Sequence, residues 1–211
     1  MVFSDAITVF SLSSYSDFCI LQSSVYEMFA WKYGSKMGAS TLRFTPKSTF
    51  EPFPKPDTPD SSSTENIGAI YYDFRKQVME REKYGLTEFY NRFHDSKNTD
   101  ESILKLRELH KKVDAAVVSA YGWDDLKLEH HFHDVDYLSG NDRVRFTISE
   151  NARNEILDRL TLLNKQRFDE EQEEAGSLHS LPNKKYKKIK ASQALDKVAK
   201  SKPQMSFFED A

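Results

Sequence analysis

Ser40-Thr41-Leu42-Arg43-Phe44-Thr45-Pro46, followed closely by Phe50-Glu51-Pro52-Phe53-Pro54-Lys55-Pro56, divides the chain into parts of different character. Leu42 to Thr45 carries the mixed β-branched and aromatic pattern of a short strand. Pro46 ends it, because proline has no N–H to give to a ladder. From Pro52 to Ser63 the chain holds prolines 52, 54, 56 and 59 and a run of serines. That composition reads as a linker or surface crossing and marks the clearest candidate domain boundary.

Upstream, Ile7-Thr8-Val9-Phe10 predicts another short strand. Between Phe18 and about Lys36, Leu21, Val25, Met28 and Trp31 approximate helical spacing, with Gly34 and Gly38 as stops. Downstream the periodicity is largely helical. One helix starts near Thr64-Glu65, with Ile67, Ile70, Tyr71, Phe74 and Val78 on one face and Gly85 stopping it. Leu86 to His94 reads as a short helix. Asn98-Thr99 caps the next, and Asp100 and Glu101 suit its positive end. Its inward face is Ile103, Leu106, Leu109, Val113, Val117 and Ala120, and Gly122 ends it. Arg143 to Thr147 alternates as a strand. Ser149 caps a last helix with Ala152, Ile156, Leu160 and Leu163 inward. After Arg167 comes a charge run. The tail then carries eight lysines between 184 and 202 against Asp196 alone, and from Gly176 onward it reads as mostly disordered. The expected fold is mainly α with a few short β-strands, an α+β arrangement.

The 211 residues carry a formal net charge of −3, with 30 % charged and 13 % aromatic residues. That size admits one compact domain with extensions, or two small modules. The overall charge does not announce a nucleic-acid partner. Cys19 is the only cysteine, so no intramolecular disulfide and no cysteine zinc site can form, and a reducing, cytoplasmic setting is the simplest reading. No apolar run reaches about eighteen residues, so no membrane partner is expected. Met1-Val2-Phe3-Ser4-Asp5 lacks the basic start of a signal peptide.

Three kinds of chemistry can be weighed. A methyl-transferring domain that holds S-adenosylmethionine needs a glycine-rich strand-to-helix turn for close backbone approach. Glycines 34, 38, 68, 85, 122, 140 and 176 are too dispersed to make one, and the chain has no Pro-Pro pair. Pro59-Asp60 with Asp95-Ser96-Lys97 has the outline of a metal-dependent nuclease, but both carboxylates fall in loops. Glu129-His130-His131-Phe132-His133-Asp134 contains a His-x-His that could start a metal site. His94, His110 and His179 are too scattered to complete it, so it reads as a loop between helix and strand with one histidine packed. No catalytic or metal residue is assigned.

Several stretches, in order, resemble the C-terminal region of large adenine-N6 DNA methyltransferases. The family includes type IIG and type IIL restriction–modification enzymes and BREX-like phage-defence enzymes. The stretches are Ile20-Leu21-Gln22-Ser23-Ser24 with Ala30-Trp31, the Thr41–Pro46 and Phe50–Pro54 segments, Tyr90-Asn91-Arg92-Phe93-His94, Ile103–His110, Ala120-Tyr121-Gly122-Trp123, and Arg145–Glu150. The resemblance covers about residues 3 to 170. It implies the end of a target recognition region over 1–55 and a helical C-terminal module over 65–170, joined by the proline-rich linker over 56–64 and followed by the basic, disordered tail over 171–211, both read from composition. It also implies that S-adenosylmethionine and the Asn-Pro-Pro-Tyr tetrapeptide belong to upstream parts this chain does not contain. The chain is then expected to be inactive alone and to bind no cofactor itself. It would be one half of a split enzyme with a separate catalytic chain, or a gene remnant.

Within that frame the expected contacts to double-stranded DNA are Ser40, Thr41, Arg43, Thr45 and Lys47, hydroxyls and cations of the kind that hold phosphates, with Arg43 able to read guanine. The competing reading has Arg43 paired with a carboxylate and the hydroxyls serving turns. Trp31, Tyr71, Tyr72, Tyr90, Tyr121 and Trp123 are conceivable stacking platforms, but at helical spacing they read as core. The end of the tail, Gln204, Met205, Phe207 and Phe208, resembles the peptide that docks on the bacterial sliding clamp. It would make the chain a small adaptor protein.

Overall fold

The computed structural model describes residues 8–37, 41–57, 62–138 and 140–179. Among them are seven α-helices and two antiparallel sheets of two strands each, so the protein is mainly α, as the periodicity implies. In order these are α1 (Tyr15–Gln22), α2 (Ser24–Tyr33), β1 (Ser35–Met37), β2 (Thr41–Arg43), α3 (Pro46–Thr49), α4 (Ser62–Glu82), α5 (Leu86–His94), α6 (Glu101–Ala120), β3 (His131–Asp134), β4 (Val144–Thr147) and α7 (Glu150–His179). The chain forms two compact units, Met1–Phe168 and Asp169–Ala211. The second is described as far as His179.

Helix α6 organises the first unit. Ile103, Leu106, Leu109, Val113 and Val117 recur at helical spacing and are all buried. Helices α1 and α4 pack on it and on each other. The Phe-x-x-Phe-Pro segment contributes to the same core: Phe53 meets Tyr26 and Phe29 edge-on at 4.9 and 5.1 Å. Just beyond it, the Tyr121 hydroxyl donates to the Pro54 carbonyl at 2.9 Å. Residues on both sides of the proline-rich segment thus share one cluster of buried side chains.

Helix α4 crosses α1 at Gly68. A Cβ there would collide with the Tyr15 carbonyl oxygen and lie 3.2 Å from the Cys19 Cβ. Around the crossing the Ser16 N–H donates to Glu65 at 2.7 Å, and the Ser16 and Thr64 hydroxyls meet at 2.9 Å. Cys19 is fully buried, and burial pushes its thiol up to about 12.

Arg107 lies in the core with its guanidinium spent on backbone. It donates to the carbonyls of Phe93 (2.9 Å), Asn98 (3.0 Å), Asp95 (2.7 Å) and Arg92 (3.2 Å). These include carbonyls at the end of α5, where intrahelical partners run out. The group also sits over the rings of Phe132 and Phe146.

Several elements differ from expectation. Thr8 to Phe10 is not a strand, and Ile7 lies outside the described residues. Phe10 has no strand to pair with and packs instead on Phe44 and Phe50. The Phe18–Lys36 helix is broken at Ser23, whose extended backbone ends α1 while its hydroxyl accepts from the Tyr26 N–H and caps α2. The end of that segment is β1. It pairs Ser35 with Arg43 and Lys36 with Leu42. The histidine-rich stretch is not a loop: His131–Asp134 is β3, registered against Thr147–Val144 of β4. Helix α7 continues through Gly176 to His179, where the sequence predicted a disordered tail.

Candidate nucleic-acid interface

The β1–β2 hairpin presents the expected contact residues unevenly. Leu42 turns inward and packs against the core, while Thr41 and Arg43 on either side are exposed, as strand alternation requires. Among the described residues Arg43 makes no ion pair, so the competing reading of a carboxylate partner finds no support there. Lys47 is exposed on α3. Thr45 serves the fold: its carbonyl accepts from the Ser48 and Thr49 N–H groups, and its hydroxyl meets that of Ser48 at 2.7 Å. Ser40 lies outside the described residues, as do Gln204, Met205, Phe207 and Phe208 of the tail.

Beside the hairpin the surface is hollowed. A depression of about 460 Å³ is lined by Trp31, Lys32, Lys36, Asp136, Tyr137 and Arg153, among others. Trp31 also lines a second depression of about 420 Å³ with Glu27, Asn91, His94 and Arg145. A third, of about 340 Å³, continues from Asn91, His94 and Arg145 to Asp95 and Asp142. The first two share Trp31, and the last two share Asn91, His94 and Arg145.

The depressions differ in charge. Near the hairpin, Lys32, Lys36 and Arg153 face Asp136. Arg153 is buried and donates to the carbonyls of Ile148 and Asp134. In the second depression, burial raises the Glu27 carboxyl above its ordinary value, reinforced by Asp114 and opposed by Arg145, Arg153 and the indole N–H of Trp31. Burial is also the main cause that drives His94 down to about 3, helped by Arg145, His110 and Arg107. Its Nδ1 accepts from the Phe146 N–H at 3.2 Å, a bond that a proton on Nδ1 would break.

One constellation has the residue types of a nucleophilic triad. Ser24, His110 and Asp114 meet in the core with His130. The Asp114 carboxylate accepts from the Ser24 N–H, the Ser24 hydroxyl and His130 Nε2, each at 2.7 Å. Ser24 Oγ lies 3.2 Å from His110 Nε2. The serine gives its proton directly to the carboxylate, and Ser24 and Asp114 are each 1 % exposed. No substrate reaches it, so the cluster is structural. Burial tends to raise the Asp114 carboxyl, but His110, the bond from His130 and the Ser24 N–H outweigh it and hold it low. Burial holds His110 low, against the pull of Asp114. Sequence reading missed this cluster, although His110 and Asp114, set four apart among Leu106, Val113 and Val117, were polar residues on an apolar face. The expectation that one histidine of the His-rich stretch is packed holds for His130.

Neither metal reading gains support. No group of three or more potential ligands converges among the described residues. Asp95 accepts from the Lys97 N–H as a turn residue, and Asp60 lies outside the described residues. No protein-family model, curated protein or solved structure matches this chain.

The two low histidines imply a pH dependence. Below about pH 6.5 the unfolded chain takes up protons at His94 and His110 that the folded chain refuses. Stability is therefore full above that pH and falls as acid is added, by about 1.4 kcal/mol per pH unit per histidine. The His94 share is exhausted near pH 3. The expected result is a urea midpoint that declines from pH 6.5 to 4, with a shallower decline in His94→Asn. Equal midpoints at pH 7.5 and pH 5 would contradict it.

Proposed function

We propose that this chain is the DNA-contacting, non-catalytic portion of a site-specific adenine-N6 DNA methyltransferase of restriction–modification or phage-defence type. The supporting observation is the hairpin. Thr41 and Arg43 stand out from one side of β2, anchored by Leu42 beneath, and Arg43 has no ion-pair partner among the described residues. Lys47, on α3 just beyond the strand, is also exposed. A guanidinium with no ion-pair partner among the described residues, on a strand fixed by an apolar anchor, suits a phosphate or a guanine edge. The type of enzyme is taken from the ordered stretches that resemble those methyltransferases. S-adenosylmethionine and the catalytic tetrapeptide then belong to another chain or segment.

The test is fluorescence anisotropy with a labelled duplex. Arg43→Ala is expected to weaken binding about tenfold and to reduce the slope of log affinity against log salt by about 0.9, the share of one phosphate contact. Its exposed position predicts an unchanged melting temperature. Unaltered affinity with an intact fold would remove Arg43 from the interface.

A further inference from the structure

We propose that the depression walled by Trp31 and Tyr137 binds a nucleotide unit, base against the indole and phosphate at Lys32 and Lys36. This rests on the DNA-contacting reading and extends it from the duplex surface to an unpaired nucleotide.

Shape, stacking and charge support it independently. The depression, about 460 Å³, falls within the range of roughly 300–1,000 Å³ for small-molecule sites. Trp31 lies nearly parallel to Tyr137, with centroids 5.1 Å apart and planes at 25°. A planar base entering the depression would extend that pair as a third ring. The indole N–H lies toward the Glu27 carboxyl and lowers it. The sequence pattern placed Trp31 in the core with the other aromatic residues. The structure leaves it half-buried, on the wall shared by two depressions and outside the core cluster. The reason is its place in the last turn of α2, just before Gly34.

The other stacked pair makes the contrast. Tyr121 and Trp123 stack at 4.3 Å and 12°, but both pack against the core, and the hollow beside them is only about 180 Å³. The nearby Arg159 is already committed to Asp125 and Glu155. At Trp31 the cations are open: Lys32 and Lys36 are exposed and make no ion pair among the described residues. Asp136 is the single carboxylate in the wall, and Asn154 offers an amide to a base edge. An aromatic platform beside free cations is how proteins take single strands without strong sequence preference. Arg145, in the adjoining depression, is already paired with Asp142 at 3.3 Å, so the open cations are Lys32 and Lys36.

The experiment uses Trp123→Phe, which leaves Trp31 as the only tryptophan. This protein is titrated with adenosine monophosphate, a short thymidine oligonucleotide and a blunt duplex. Tryptophan emission is followed for all three, and anisotropy for the labelled nucleic acids. Saturable quenching of Trp31 is expected, with about tenfold weaker binding in Lys32→Gln/Lys36→Gln. Trp31→Phe should weaken oligonucleotide anisotropy while sparing duplex binding and the melting temperature. Quenching by the free nucleotide as strong as by the oligonucleotide assigns a mononucleotide ligand; quenching by the oligonucleotide alone assigns a strand. Duplex binding without quenching by either small probe overturns the site and leaves the hairpin reading standing. Absence of binding to all three overturns both.

Discussion

Asp114→Ala lowers the unfolding free energy by about 3–5 kcal/mol, far more than an exposed substitution such as Arg43→Ala. The carboxylate is 1 % exposed and holds three donors. One of them, the Ser24 N–H, belongs to the first turn of α2, where backbone donors lack intrahelical partners. Asp114 therefore acts as an anion at the start of α2, supplied from a helix 90 residues away, and the helix dipole offsets part of the cost of burying its charge. His110 is held neutral, so its Nε2 can donate toward Ser24 Oγ while its Nδ1, buried and unpartnered, needs no acceptor. Removing the carboxylate strands the Ser24 N–H, the Ser24 hydroxyl and the His130 N–H at once. Asp114→Asn keeps the volume but turns one acceptor into a donor, so it should fall between the two. Urea unfolding followed by circular dichroism measures all three proteins. An Asp114→Ala loss under about 1 kcal/mol would mean the cluster is solvated in solution.

Gly68→Val carries the second large effect. The added atoms meet the carbonyl of Tyr15, which is backbone and cannot rotate away. Helices α1 and α4 must separate, pulling apart the bonds from Ser16 to Glu65 and Thr64. Overpacking of this kind costs about 1–3 kcal/mol and sometimes more. Gly68→Ala should be milder, because alanine returns about 1 kcal/mol of helix propensity. Gly85 is the control: nothing lies within 4 Å of its would-be Cβ. Gly85→Ala should shift stability by no more than about 1 kcal/mol, the scale of a capping effect. Thermal melts of the three variants decide it, and a Gly68→Val melt equal to that of Gly85→Ala would refute the tight crossing.

The helices were legible where one residue period governed both burial and boundaries. Leu86–His94 matches α5 to the residue, and the inward face read for α6 is the face buried, apart from a partly exposed Ala120. What escaped depended on partners distant in sequence. Ser23-Ser24 looks like a pair of ordinary helix residues until Asp114 arrives to receive Ser24. β3 looks like a loop until β4 pairs with it. Trp31 satisfies a core pattern, yet the helix ends too soon to bury it. Of the expected DNA contacts, Thr41, Arg43 and Lys47 are exposed around β2, Thr45 is taken up by the start of α3, and Ser40 lies outside the described residues.

The sealed sulfur of Cys19 gives this protein a built-in clock. A thiol with no accessible surface, pushed up to about 12, reacts with an alkylating reagent only when the α1–α4 seam parts, since thiolate and access are both required. Because no other thiol is present, the labelling rate counts those partings one molecule at a time. Compared with the global unfolding rate, it tells how often α1 lifts while the rest of the unit stays folded.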